Sequence, residues 1–368
     1  MRSLNNFNSV KSIIKTKLFY LFQRCSYSFS PRSINLDISW ACNLDCVMCS
    51  VRERISGSNK DYLTVDNFKN ILSQLPQLKF IDFMGLGEPL MNPYFFNLLD
   101  IAHAKNIKAS LITNGMLLNK DSINKIKDNL VRIYISMDTP VAEKLEKIRK
   151  GVQFARLIDN IHNLKKLKPN IKLGFLVVLM QETAEDLPAL VELARDIGIG
   201  YIGVNHLLCL DKFNDERRVT VSTDKAKYYL EKAEDLAGKH KIDFVSRPLQ
   251  PNMRTCWQPW LEPLIMLNGD IHPCCFMDQS AESVCAEWFD GVTVRVPFNC
   301  YKMGNIFQGN FKKIWNGKDF RNLRKTLRNS EIISELTPGE LNSLRQKVTY
   351  PDKFWYCRIC LWRWSMAC

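Results

Sequence analysis

The sequence predicts an α/β protein, a parallel sheet of six βα units followed by a small cysteine-rich domain. Three observations carry that reading. Apolar strand-like runs alternate with helical patterns from Ile34 to Lys239. A Pro- and Asn-bearing stretch, Arg247-Pro248-Leu249-Gln250-Pro251-Asn252, then interrupts the alternation as a domain boundary does. Beyond it the chain turns cysteine-rich, with Cys256, Cys274, Cys275, Cys357 and Cys360 among the 13 cysteines. A chain of 368 residues is long for one domain and suggests two, and its 46% hydrophobic content fills proper cores. The divisions expected are a basic amphipathic segment at 1–30, a core domain at 31–245 and a cysteine-rich domain at 246–368.

Strands are expected at Ile34–Ser39, Phe80–Phe83, Ala109–Ile112, Val131–Ile135, Leu173–Leu179 and Tyr201–Asn205. The fifth is almost continuously apolar, as a strand covered on both faces is. Between and after them, helical spacing runs over Val65–Leu75, Tyr94–Lys105, Asp121–Leu130, Phe154–Leu167, Glu185–Asp196 and Asp224–Lys239. Strands separated by helices return in the same direction, so the sheet is parallel. Six units are too few to close an eight-stranded barrel. In the second domain, Asn268-Gly269 between apolar flanks signals a hairpin.

The richest segment is Cys42-Asn43-Leu44-Asp45-Cys46-Val47-Met48-Cys49, a C-x3-C-x2-C run just after the first strand. Three thiolates so spaced can hold three corners of a cubane iron–sulfur cluster and leave one iron open for chemistry. The competing reading is a zinc knuckle with its fourth ligand elsewhere. Structural zinc sites more often pair two C-x2-C knuckles, and no histidine follows at a zinc-like interval. After the second strand comes Met84-Gly85-Leu86-Gly87-Glu88-Pro89, whose glycines allow a close backbone approach and whose carboxylate suits an ammonium group. The third strand runs into Thr113-Asn114-Gly115 and the fourth into Ser136-Met137-Asp138. Each segment alone is an ordinary turn, since Ser, Asn and Asp favour such places. All of them follow strands, where parallel sheets place their sites.

Together and in this order, the segments resemble those of radical S-adenosylmethionine (SAM) enzymes. The resemblance implies a partial (β/α)6 TIM-like barrel over residues 31–245, with the cofactors at the C-terminal strand ends. It implies a [4Fe–4S] cluster on Cys42, Cys46 and Cys49, its open iron chelated by the amino and carboxylate groups of SAM. Gly85, Leu86, Gly87 and Glu88 would cradle the methionine moiety; Leu86 replaces the family's usual glycine, a mild departure because backbone groups make the contact. Asn114 joins the cofactor site, and Ser136 and Asp138 inherit the contacts to ribose and methionine carboxylate. Arg149, in the loop after Asp138, is either a holder of an anionic group or one more solvated arginine.

The second domain also has a resemblance. From spacing alone, Cys256 and Cys274, brought together by the hairpin, and Cys357-x2-Cys360 make a closed tetrathiolate site for zinc or iron–sulfur. With Gly269-x4-Cys274, Gly304-Asn305-Ile306 and Ile314-Trp315-Asn316, they look like the SPASM/twitch extension of radical SAM oxidoreductases and maturases. That extension carries one or two auxiliary [4Fe–4S] clusters. After Cys360 only Cys368 remains, too few thiolates for a second, so one auxiliary cluster is expected on Cys256, Cys274, Cys357 and Cys360, with Cys275 the alternative to Cys274. Cys209, Cys285, Cys300 and Cys368 stay unassigned.

The resemblance implies a radical SAM oxidoreductase or maturase. Such an enzyme reductively cleaves SAM to a 5′-deoxyadenosyl radical, which abstracts hydrogen from a small-molecule (sugar- or cyclitol-like) or peptide substrate. It would draw electrons from a reductant such as flavodoxin or ferredoxin. Roughly 30 residues precede the barrel, too few for a separate peptide-binding module. That tilts the expectation toward a small molecule or a freely presented peptide. A rival from another class is a non-catalytic zinc protein that binds nucleic acid through its net charge of +13. It leaves the ordered strand-end motifs as coincidence, and the basic residues are scattered among acidic ones rather than clustered, which argues against nucleic acid.

The exception to the scatter is the N-terminus. No acidic residue occurs from Met1 to Leu36, and Val10, Ile13, Ile14, Leu18, Leu21, Phe22 and Cys25 recur at helical spacing. Such a helix either associates weakly with a membrane surface or packs on the barrel base. The sequence holds no stretch of about 18 or more apolar residues to span a bilayer. Without a signal peptide or an even cysteine framework, the expected compartment is a reducing cytoplasm.

Overall fold

The computed structural model describes residues 29–49, 61–207, 224–246, 258–274, 283–287, 293–297 and 302–329. Seven strands run in chain order: β1 (Ser33–Asp37), β2 (Phe80–Met84), β3 (Lys108–Thr113), β4 (Leu130–Ser136), β5 (Lys172–Leu179), β6 (Tyr201–His206) and β7 (Asp243–Ser246). Each pairs in parallel with the next. The six expected strands are β1 to β6, side by side in sequence order, which is the partial TIM-like barrel. Two further parallel strands flank them. One is β7; the other, β8 (Leu264–Ile265), joins the free edge of β1, with Asn35 opposite Leu264.

The sheet then continues antiparallel through β9 (Asp270–His272) and β10 (Gly304–Asn305). The expected hairpin is β8–β9, closed by Gly269 N–H on Met266 O at 2.8 Å, with Gly269 at φ +87°. A separate two-stranded ladder pairs Ser283–Glu287 with Thr293–Pro297.

The helices lie where their apolar stripes meet the sheet: α1 (Val65–Gln74), α2 (Phe95–Ala104), α3 (Lys120–Asn124), α4 (Ala142–Ile148), α5 (Phe154–Leu167), α6 (Leu187–Asp196) and α7 (Asp224–Lys239). Thr64 caps α1, accepting from Asn67 N–H, and Asn119 caps α3, accepting from Ser122 N–H. Phe68, Ile71 and Leu72 of α1, Leu98 and Leu99 of α2, and Leu157, Ile161 and Leu164 of α5 are buried. They join Ile81, Phe83, Leu111, Ile133, Phe175 and Val177 of the strands in one core. Phe68, Phe83 and Phe95 meet there, Phe95 edge-on to Phe83 at 5.6 Å between ring centres.

Two expectations need correction. The helix expected at Asp121–Leu130 ends at Asn124, because the chain turns through Lys127 and Leu130 already belongs to β4. Asn129 holds that turn by donating to Ile107 O at 3.0 Å. Helix α4 has no counterpart in the expected pattern. In the cysteine-rich region, α8 (Gln258–Leu261), α9 (Phe311–Trp315) and α10 (Lys318–Asn329) complete the described helices. No helix among the described residues is long and apolar enough to cross a membrane. The basic amphipathic segment at 1–30 lies almost wholly outside the described residues.

Candidate cluster and cofactor site

Parallel pairing brings the ends of β1 to β6 to one edge of the sheet, and every motif segment of the core domain follows one of those ends. The cysteine loop leaves β1 and is stitched at once to the loop after β2. Gly87 N–H donates to Ser39 O at 2.9 Å and Glu88 N–H to Ala41 O at 2.7 Å. Asp37, at the end of β1, accepts from Leu86 N–H at 3.2 Å and from the Trp40 indole at 2.5 Å. A Cβ on Gly87 would sit 2.2 Å from Ala41 O, so only glycine permits this approach.

Cys42, Cys46 and Cys49 take part in no disulfide, and each is partly buried. Burial first, then the Glu88 charge and Cys49, pushes the Cys42 thiol up; burial, then the neighbouring thiols, lifts Cys46 to about 11 against the pull of Arg149. A thiol held that high keeps its proton until a soft metal displaces it. Among the described residues no three His, Cys, Asp or Glu side chains converge as they would around a single ion. The donor set, three thiols of one loop outside any disulfide and beside a glycine cradle, fits a cluster with one open iron.

The loop after β3 closes on the same place. Glu88 is buried, and its carboxylate accepts from Thr113 Oγ1 at 2.7 Å, Asn114 N–H at 2.7 Å and Leu90 N–H at 3.1 Å. Loss of water raises its carboxyl above the ordinary range, against the pull of those three donors. Asn114 in turn donates Nδ2–H to Asn43 Oδ1 at 2.9 Å and lies 4.0 Å from Cys42 Sγ. Gly115, at φ +79°, lets the chain turn away.

Ser136 is the last residue of β4, half-buried at the same edge. Asp138 is fully buried and grips Arg149 in two bonds, Nε–H to Oδ2 at 2.7 Å and Nη2–H to Oδ1 at 2.9 Å. It also accepts from Val178 N–H at 2.9 Å. Arg149 is not a solvated arginine: it is 8% exposed and pairs with Cys46 across a short antiparallel bridge, where its charge acts on the thiol. The sequence marked the arginine but not its partner, because the pairing of 45–46 with 149–150 is too short to show as alternation.

In the second domain, Cys274 follows β9 and packs, partly buried and in no disulfide, against the main core. Cys256, Cys275, Cys357 and Cys360 lie outside the described residues, as do Cys209, Cys300 and Cys368. The elements beside Cys274 are pinned by Arg324, which donates to Pro259 O and Trp315 O, both at 2.8 Å, and stacks on Trp315 at 4.4 Å. Asn305 fastens the hairpin, donating to Asn268 O at 2.9 Å and Asp270 Oδ1 at 2.7 Å.

A parallel α/β half-barrel with a three-cysteine loop and a glycine cradle at its strand ends defines a class, barrel proteins that hold their cofactors at the C-terminal edge. Residues 38–194 match the family described as the radical SAM superfamily, and residues 256–335 match SPASM, an iron-sulfur cluster-binding domain. The chain belongs to the radical SAM superfamily and carries a SPASM domain. Membership implies a [4Fe–4S] cluster and SAM, and the SPASM domain an auxiliary iron–sulfur cluster.

Among its relatives is the tungsten-containing aldehyde ferredoxin oxidoreductase cofactor-modifying protein of Pyrococcus furiosus, 30% identical over 49% of this chain. The chain spans about half of that protein, 53%. Another is the Fe-coproporphyrin III synthase of Methanosarcina barkeri, 25% identical over 87% of this chain and 78% of the synthase. In shape the chain is similar to Streptococcus suis SuiB bound to its precursor peptide SuiA, with a TM-score of 0.62 over 85% of this chain and 71% of SuiB. At 17% identity that likeness concerns the fold alone.

Proposed function

We propose that this chain is a radical SAM oxidoreductase or maturase in which Cys42, Cys46 and Cys49 ligate the SAM-binding [4Fe–4S] cluster. The observation that carries the reading is the stitching of the strand-end segments to one another. Gly87 and Glu88 bond to the cysteine loop, Glu88 bonds to Asn114, Asn114 bonds to Asn43, and Arg149 pairs with Cys46 across the short bridge. When bound and reduced, the cluster and SAM supply a 5′-deoxyadenosyl radical able to take hydrogen from an unactivated carbon. The protein's part is placement. Gly85, Leu86 and Gly87 offer backbone to the methionine moiety, Glu88 braces that loop from beneath, and Ser136 offers a hydroxyl at the same edge. Asp138 enters the site through Arg149.

In this reading residues 31–245 are the core that activates SAM and 246–368 the auxiliary domain, with Cys256, Cys274, Cys357 and Cys360 as ligands of one auxiliary cluster. The substrate is a small molecule or a freely presented peptide entering at the strand ends, and the electron comes from a flavodoxin- or ferredoxin-like donor. Of the two classes, the Fe-coproporphyrin III synthase, a relative that spans most of the chain, supports the small molecule.

The test is anaerobic reconstitution followed by reduction and incubation with SAM. The expected outcome is a brown protein with roughly eight irons per chain, two cubanes' worth. It forms 5′-deoxyadenosine, and Cys46→Ala abolishes that product. A colourless protein that binds zinc would sink the reading, and near twelve irons would add a second auxiliary cluster.

A further inference from the structure

We propose that Arg149 sets the reduction potential of the first cluster by holding its buried charge beside Cys46, with Asp138 keeping the guanidinium in place. The proposal rests on Cys46 being a cluster ligand and goes beyond it. Cys46 and Arg149 are paired residues of the short antiparallel bridge, and Val47 N–H donates to Ile148 O at 2.9 Å beside it. The backbone therefore fixes the two side chains' roots relative to each other.

Of the five guanidinium N–H groups, Asp138 takes Nε–H and one on Nη2, which leaves three. The guanidinium charge acts on the Cys46 thiol across the bridge pair. Asp138 cannot drift, because it is fully buried and anchored to Val178 N–H of β5.

A buried, permanent positive charge beside a cluster ligand favours the more negative, reduced state of the cluster, since little water screens it. The Asp138 charge opposes this partly, from the far side of the guanidinium. Glu88, the other buried carboxylate near the loop, acts on Cys42 rather than on Cys46. Asp138 and Arg149 are thus positioning residues whose target is a ligand sulfur.

The experiment is an anaerobic redox titration of the reconstituted full chain without SAM, followed by electron paramagnetic resonance of the reduced cluster. Arg149→Gln is expected to lower the midpoint at least tenfold in the reduced-to-oxidised ratio, about 59 mV for one electron. Arg149→Lys, which keeps the charge, should recover part of the shift. Asp138→Asn removes the opposing charge and should raise the midpoint, which a merely structural clip would not do. Equal midpoints in wild type, Arg149→Gln and Asp138→Asn, all with full iron, would overturn the proposal. If Arg149→Gln fails to take up iron, Asp138→Asn decides alone. Full iron and an unaltered signal in Cys46→Ala would show instead that the ligand assignment, not the tuning, is at fault.

Discussion

Gly87 is where the cofactor cradle depends on a missing atom. An alanine there would drive Cβ into the carbonyl of Ala41, and neither backbone can yield without moving the cysteine loop. Gly87→Ala should cost about 1–3 kcal/mol in chemical denaturation, and SAM affinity should fall in parallel. Glu88 gives a sharper case. Sequence reasoning assigned its carboxylate to the ammonium of SAM, yet three of its lone pairs go to Thr113, Asn114 and Leu90. In Glu88→Gln the amide NH2 faces a backbone N–H whichever way it is flipped: Leu90 N–H on one side, Asn114 N–H on the other. One buried donor is left unpaired, at about 1–3 kcal/mol. Equal stability of Glu88→Gln and wild type would show that the carboxylate bonds carry no weight. The identities of these residues were legible from their position after strands. Their partners were not, because a strand-end motif does not say which neighbouring loop it will meet.

At the scale of elements, long patterns were readable and short ones were not. Phe154–Leu167 and Asp224–Lys239 appear with the bounds their apolar spacing predicts, since helices of that length repeat their stripe several times. Four-residue β7 and two-residue β8 hold too few side chains to show alternation, so both edges of the parallel sheet were missed. The β8 edge is joined to the core by an unusual pair. Asp82 of β2 lies against Glu262, which precedes β8, while Ser110 donates to Asp82 and Ser33 donates to Glu262 at 2.6 Å. Loss of water, then the Glu262 charge, pushes the Asp82 carboxyl up to about 7 from an ordinary 3.8. The folded state therefore keeps a proton that the unfolded chain releases at lower pH. The contribution of Asp82 to stability is intact below about pH 4 and is lost as pH rises through 7. Unfolding free energies measured from pH 5 to 8 should fall less steeply in Asp82→Asn than in wild type. Identical slopes would mean that the two carboxyls do not share a proton.

For the whole molecule, the composition shift near residue 246 marks where cysteines begin to gather, and the SPASM match starts beyond it at 256. The sheet nonetheless runs on, with β8 against β1 and then β9 and β10. Side chains repeat the connection. Gln74 of α1 donates to Ile306 O at 2.8 Å and accepts from Phe311 N–H at 2.8 Å, while Trp315 Nε1–H reaches Phe29 O at 2.8 Å. These contacts span more than two hundred residues of sequence, and no local pattern announces them. A barrel sheet completed by strands from the second region should not melt apart from it. Denaturation followed by tryptophan fluorescence and by far-ultraviolet circular dichroism should give coincident transitions. Arg324 is the place to test the link. Its truncation in Arg324→Ala leaves the carbonyls of Pro259 and Trp315 without this donor and removes the cation stacked on Trp315 and Phe320. That should lower the midpoint of the shared transition by the equivalent of about 2–4 kcal/mol while the two probes still coincide. Separate transitions in the variant, with the fluorescence change first, would show that the two regions are independent folding units which merely share a sheet edge.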